Sequence, residues 1–172
     1  MKLAIMEPIS NETVNRVLEE VLIGRTNRRD PNIFVYINSP GGDVDAGYAI
    51  YETLRLSGKR VITYAVNHVY SCAVLIYMAG DVRCANEHSS FMIHEPYHEL
   101  GDDKMNVKAY QKNMEELTEC IDGFFDVLCR GTPHLTPAKV KKYLQKAPEG
   151  DWYFKSDVAK RLGIVHEIGM PG

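Results

Sequence analysis

Two hydrophobic periods share this chain. Short apolar runs with period-2 or continuous burial patterns read as strands: Leu3 to Met6, Ile33 to Ile37, Val61 to Val66, Val82 to Ala85 and Ser90 to Ile93. Between them the apolar residues recur every three or four positions. Ser10, followed by Thr13, caps a helix carrying Val14, Val17, Leu18, Val21 and Leu22; Gly24 ends it, and Arg25 to Pro31 follow as a basic polar loop. Residues 46–56 place Ala46, Ala49, Ile50, Thr53 and Leu54 on one helical face, and Gly58 breaks the helix. Ser71 to Ala79 is a short apolar helix closed by Gly80. Asp102 to Arg130 is a long amphipathic helix, with Met114, Leu117, Ile121, Phe124, Phe125 and Leu128 on its apolar side. Thr136 caps a helix to about Lys146, Asp157 to Leu162 forms another, and Ile164 to Ile168 is a last strand. Strands alternating with helices predict one α/β domain over residues 1–172 with a mostly parallel sheet, whose strand ends and following loops share one edge.

At one such strand end stands Asn38-Ser39-Pro40-Gly41-Gly42-Asp43-Val44-Asp45-Ala46-Gly47. A buried strand empties into a Pro-Gly-Gly turn and then a helix. Adjacent glycines let the main chain take positive φ and approach a ligand with no Cβ in between. The turn aims N–H groups above the strand end, an arrangement suited to a phosphate or a developing oxyanion.

Charge and cysteine content narrow the choice. With 172 residues and a formal net charge of -3, the chain carries no basic excess that would point to nucleic acid or an anionic membrane surface. No apolar run approaches the roughly 20 residues of a bilayer span. The apolar stretch before Glu7 is too short for a signal peptide, so a cytoplasmic location is expected. Cys72, Cys84, Cys120 and Cys129 form no C-x-x-C pair; His94-Glu95-Pro96-Tyr97-His98 has the H-E-x-x-H spacing, but Pro96 inside it interrupts the helix that would set both imidazoles on one face. Reduced thiols, no metal and no cofactor are therefore expected.

Three side chains at element ends could do chemistry. Ser71 opens an apolar helix just after a strand; serine is common at that position as a cap, yet an N-terminal hydroxyl there is also a well-placed nucleophile. His94 closes the strand Phe91-Met92-Ile93, where a histidine is either a hydrogen-bonded structural residue or a base. Asp151 lies between the loop Ala147 to Gly150 and Trp152-Tyr153-Phe154; it is either a solvated turn residue or a carboxylate in want of a partner. Together they have the composition of nucleophile, base and orienter in the chain order Ser, His, Asp.

With these residues in place the chain resembles the proteolytic subunit of the Clp protease, the ClpP family. The resemblance rests on Tyr36-Ile37-Asn38-Ser39-Pro40-Gly41-Gly42, Ala46-Gly47 with Ala49-Ile50-Tyr51, Ser71 before Ala79-Gly80, Met92-Ile93-His94-Glu95-Pro96, and Asp151 before an aromatic run and Ala159…Gly163. It spans roughly residues 3–168. It implies the ClpP/crotonase fold, a stack of β-β-α turns with a protruding helical handle, to which residues 102–130 are similar. It implies a serine endopeptidase in which Ser71 is the nucleophile, His94 the general base, Asp151 its orienter, and the N–H groups of Gly41 and Cys72 the oxyanion hole. It implies peptide or unfolded-protein substrates and a homo-oligomer of seven-membered rings, stacked as a tetradecamer around a chamber.

The chain departs from the family pattern at several places. His68-Val69-Tyr70 replaces the usual small residues before the serine, and Tyr70 is expected to crowd or reshape the site. Cys72-Ala73 replaces Met-Gly, and the segment after Pro96, Tyr97 to Asp103, is bulky and acidic where the family is glycine-rich, so a different peptide preference is expected. The chain begins near the first core strand, where the family has a preceding segment that forms axial pore loops and helps dock the unfoldase ring, so a Clp ATPase partner is not expected. Two other readings share the scaffold: a crotonase-type acyl-CoA enzyme, in which the three side chains need no joint role, and a ring scaffold whose site has drifted to inactivity.

Overall fold

A computed structural model describes residues 1–23, 30–96 and 107–169, with the side chains of all of these except Val107 and Tyr110. Among the described residues seven strands form one sheet. The strands β1 (Lys2–Ile5), β2 (Asn32–Ser39), β3 (Arg60–Tyr70), β4 (Val82–Ala85) and β7 (Glu167–Ile168) run parallel in that spatial order. A branch leaves from β3: β5 (Ser90–Ile93) pairs parallel to its far end, and β6 (Trp152–Lys155) pairs antiparallel to β5.

Period-2 alternation decides which strand face is buried. In β2, Ile33, Val35, Ile37 and Ser39 are buried while the residues between them are partly exposed. This face shares one core with Val17 of α1 (Asn11–Leu18), Ile50 and Leu54 of α2 (Val44–Leu56), and all of α3 (Ala73–Met78). The last two turns of α4 (Val107–Arg130) join it through Phe124, Phe125 and Leu128. The earlier part of α4 leaves the core: Met114 is 45% exposed. α5 (Pro137–Lys146) and α6 (Ser156–Leu162) complete the structure, α5 capped by Thr136, whose Oγ1 accepts the Lys139 N–H at 3.3 Å.

The strand at Val61 to Val66 extends from Arg60 to Tyr70. Polar Asn67 and His68 hide the continuation, because β3 bulges there: Ile37 pairs with Ala65 but Ser39 with Val69. The bulge lets one strand serve β4 with its first half and β5 with its second. The short helix begins at Ala73 and not at Ser71. Trp152-Tyr153-Phe154, left without an element by sequence pattern, is a strand. Ile164 and Val165 are buried in a turn, and only Glu167–Ile168 pair. The first helix passes into a π turn over Glu19–Ile23 that leaves Leu22 exposed. Residues 24–29, which hold Gly24 and most of the basic loop, and residues 97–106, the acidic segment and the expected start of the long helix, lie outside the described residues.

Arg83 of β4 ties the far elements to the sheet. Only 5% exposed, it donates through Nε to Ile164 O at 2.7 Å, through Nη1 to Gly80 O at 3.2 Å, and through Nη2 to Gly131 O at 2.9 Å and Gly163 O at 3.0 Å. One guanidinium thus satisfies carbonyls that follow α3, α4 and α6. Burial lowers its pKa from the ordinary arginine value. Arg83→Met removes the donors and leaves buried acceptors bare, at a cost of about 3 kcal/mol. A thermal melt is expected to show a midpoint lower by about 10 °C; an unchanged midpoint contradicts this role.

Candidate active site

The glycine turn after β2 is held from below. Ser39 Oγ donates to Glu7 O at 2.7 Å, Ile9 N–H donates to Gly41 O at 2.8 Å, and Asp43 N–H donates to Ile9 O at 3.0 Å. Gly41 has φ +93° and Gly42 φ +148°, values that favour glycine. A Cβ at Gly41 would lie 2.7 Å from Ser71 Cβ and 2.7 Å from Tyr70 O, so the turn can lie this close to the serine only because it lacks side chains. Asp43 then starts α2, its carboxylate accepting the Ala46 N–H at 2.9 Å.

Ser71 sits outside α3, whose first flanking residue is Cys72. It occupies the left-handed region at φ +53°, uncommon for a residue with a Cβ, while its N–H donates to Met92 O at 2.9 Å. The reading of Ser71 as a plain helix cap therefore fails; it is a corner residue between β3 and α3. Strained backbone of this kind recurs at functional sites.

His94 and Asp151 meet through strand register. The β5–β6 ladder pairs Ser90 with Lys155, Phe91 with Phe154, Met92 with Tyr153 and Ile93 with Trp152. The next pair in that sequence is His94 with Asp151. Cross-strand partners stand with Cβ atoms about 5 Å apart on one face. His94 Nδ1 lies 3.8 Å from Asp151 Oδ1, and His94 Nε2 lies 2.6 Å from Ser71 Oγ. The serine–histidine contact is a short hydrogen bond; the histidine–aspartate one is an ion-pair distance. The three side chains named from sequence thus converge, although 23 residues separate the first two.

A cavity of about 550 Å³ opens at this point, with Gly42, Val44, Ser71, Met92, His94 and Asp151 in its wall. A second, of about 440 Å³, is also lined by His94 and Asp151, together with Lys141 and Leu144 of α5. Neither is walled by Tyr70. The Tyr70 ring turns aside, edge-on to Tyr153 at 5.5 Å between centroids and tilted against His68 at 4.8 Å.

The expected donor pair needs one change. The Gly41 N–H donates to Ser39 Oγ at 3.2 Å, and it is Gly42, not Gly41, that faces the cavity. The Ser39 hydroxyl directs this: it spends its own proton on Glu7 O and takes that of Gly41. Cys72 is 1% exposed, and burial pushes its thiol up to about 12 against the opposing influence of the Gly42 N–H. At neutral pH the thiol is protonated and cannot compete with Ser71 as a nucleophile.

Several residues of the quoted motifs were given no role of their own in the sequence. Ser39, Met92 and Val44 are ordinary strand and helix residues whose part follows from register. Among the described residues no group of His, Cys, Asp and Glu could hold a metal ion, and no helix is long and apolar enough to cross a membrane. All four cysteines are free thiols.

The Clp protease family model matches residues 1–171. The chain belongs to the Clp protease family. Among solved structures it is similar to a mutant ClpP1 from Listeria monocytogenes, at 23% identity and TM-score 0.83, over 99% of this chain and 91% of that one. At that identity the likeness is one of fold, and it matches the mixed α/β architecture described above. Family membership makes the chain a ClpP-type peptidase at the level of class.

Proposed function

We propose that this protein is a serine endopeptidase in which Ser71 attacks the peptide carbonyl, His94 manages the proton and Asp151 orients His94. The observation that carries this reading is the 2.6 Å contact between Ser71 Oγ and His94 Nε2 in the wall of an open cavity. A nucleophile and base at that distance need no rearrangement to transfer a proton. In the proposed sequence Nδ1 carries the resting proton and faces Asp151, which leaves Nε2 free to accept. As Oγ bonds to the carbonyl carbon, its proton passes to Nε2 and the carbonyl π pair moves to oxygen. The N–H groups of Gly42 and Cys72 stabilise that oxyanion, Gly42 taking the part first expected of Gly41. Collapse breaks the C–N bond, and Nε2–H protonates the departing amine. Water, deprotonated by His94, then releases the acyl group and restores Ser71.

The stance of Tyr70 supports an open site over an inactive scaffold, since its ring packs on Tyr153 and leaves the serine accessible. The joint placement of Ser71, His94 and Asp151 favours hydrolysis over acyl-CoA chemistry, which gives the three no common task. A homo-oligomeric ring enclosing the sites is part of the proposal. The apolar stripe of α4, with Met114 exposed and Leu117 and Ile121 only partly buried, supports burial against another copy.

Labelling with a fluorophosphonate tests the reading. The wild-type protein is expected to label at Ser71 at neutral pH and to lose turnover of a fluorogenic peptide in step, while iodoacetamide leaves both unchanged because Cys72 is buried and protonated. Equal labelling of wild type and Ser71→Ala, or inactivation by iodoacetamide with Ser71 unlabelled, overturns it.

A further inference from the structure

Among the described residues the Asp151 carboxylate makes no hydrogen bond, and its one ion pair is with His94. Nothing on the side chain itself therefore fixes it, and its position is set by its backbone. That backbone is weakly held on one side. The chain reaches Asp151 through Glu149 at φ +56° and Gly150 at φ +81°, two successive left-handed residues, and the Asp151 N–H donates only to Pro148 O at 3.1 Å within the same turn. On the other side β5 and β6 are four residues each, and a short ladder opens first at its last pair, Ile93 with Trp152. If that pair opens, the next one, His94 with Asp151, has no register to follow.

The last pair is clamped from outside the sheet. Trp152 points to the face opposite Asp151, as strand alternation requires. Its ring meets two others: Tyr143 of α5 stacks on it at 4.3 Å and 17°, and Phe154 packs tilted at 4.5 Å. Phe154 stacks in turn on Phe91 at 5.7 Å and 10°, and Phe91 meets Tyr77 of α3 at 5.3 Å. One end of this aromatic row is the core. The other end, Tyr143, stands on a helix that is itself fixed, with Val140 and Leu144 buried and Lys141 Nζ 3.7 Å from Asp122 of α4. Tyr143 is 38% exposed, and its hydroxyl makes no hydrogen bond among the described residues. What it contributes is a flat face against Trp152.

We propose that Tyr143 is a positioning residue of the reaction: by stacking on Trp152 it closes the last rung of the β5–β6 ladder and so holds Asp151 against His94. The proposal rests on the Ser71–His94–Asp151 reading and deepens it by naming what keeps the third member in place. Tyr143 lines neither cavity and makes no hydrogen bond or ion pair with any of the three. Its loss lowers the rate of the chemical step and leaves substrate binding alone.

The test is a double-mutant cycle on the whole protein, with kcat and KM read from a fluorogenic peptide and the rate of Ser71 labelling by a fluorophosphonate as a substrate-independent check. Tyr143→Ala and Tyr143→Leu are expected to lower kcat by about 10- to 100-fold with KM within about twofold, the range of a misplaced catalytic group. Tyr143→Phe, which keeps the flat ring, restores wild-type kcat. In an Asp151→Asn background Tyr143→Ala causes no further loss, because the group it positions no longer works. A helix that merely stabilised the fold would add its loss in either background. Where Tyr143→Ala yields no folded protein, Tyr143→Leu, which keeps the apolar cover, makes the same comparison. Wild-type kcat in both variants beside a slow Asp151→Asn enzyme overturns this proposal alone, as does an equal loss in the two backgrounds. An Asp151→Asn enzyme as fast as wild type overturns the triad reading and this proposal with it.

Discussion

Ser71→Ala and His94→Ala are each expected to lower kcat for peptide hydrolysis by a factor on the order of 10⁶, and the double substitution by no more than either alone. The reason is the 2.6 Å contact between Oγ and Nε2. In the proposed mechanism the hydroxyl is a weak nucleophile until the imidazole takes its proton, and the imidazole has nothing to take without the hydroxyl. Removing one member removes the function of the other. Asp151→Asn is expected to cost less, on the order of 10⁴, since it spoils the tautomer and orientation of His94 while leaving Ser71 and His94 in place. A residual rate above that of water, about 10³-fold or more, remains with the backbone donors and the binding cavity. The measurement is single-turnover hydrolysis of a fluorogenic peptide by the three single variants and the double. Multiplicative losses in the double variant would mean that serine and histidine act in separate steps, and near-wild-type activity in Ser71→Ala would point to a different nucleophile.

The same residues show how far sequence carries and where it stops. The glycine turn, Ser71 and His94 stand out in the sequence because each lies at an element end, but serine and histidine also serve there as cap and structural residue, and it is the resemblance that chooses the chemical reading. The strand β6 was not, although Trp152-Tyr153-Phe154 is strongly β-prone: four residues between a turn and a helix are too few for a period to emerge. Without β6 the partner of His94 could be named only by resemblance, whereas the register of β5 on β6 supplies the physical reason. The far half of β3 was hidden by a bulge that turns polar Asn67 and His68 outward. Arg83 and Tyr143 gave no signal at all. A buried arginine reads like a surface one, and a half-exposed tyrosine on an amphipathic helix reads like any other; both acquire meaning only from the carbonyls or the ring they meet. Gly41 and Gly42 illustrate a finer limit. Sequence picks out the pair, but which N–H faces the cavity depends on a hydroxyl two residues earlier taking the other.

That limit leads to the second large effect. Gly42→Ala is expected to lower kcat by on the order of 10²–10³, the usual cost of losing one oxyanion donor, with KM changed much less. Gly42 holds φ +148°, a conformation that side-chain-bearing residues rarely adopt. A Cβ there would overlap the Ile9 carbonyl oxygen and lie 2.9 Å from the Ile9 nitrogen. Those are backbone atoms, fixed on both sides by the hydrogen bonds to Gly41 O and from Asp43 N–H, so they cannot swing away as a side-chain end would. The turn must move instead, and the Gly42 N–H moves with it. Stability falls too, by about 1–3 kcal/mol for the strained backbone. Gly58→Ala separates the two consequences. Gly58 also has positive φ, +67°, but a Cβ there meets nothing within 4 Å and the residue lies in the turn after α2, so it should cost about 1 kcal/mol of stability and none of the activity. Melting curves and kcat for the two variants distinguish strain from lost oxyanion stabilisation. A Gly42→Ala protein that melts lower yet turns over at the rate of Gly58→Ala would remove Gly42 from the proposed oxyanion site and leave Cys72 as its only named donor.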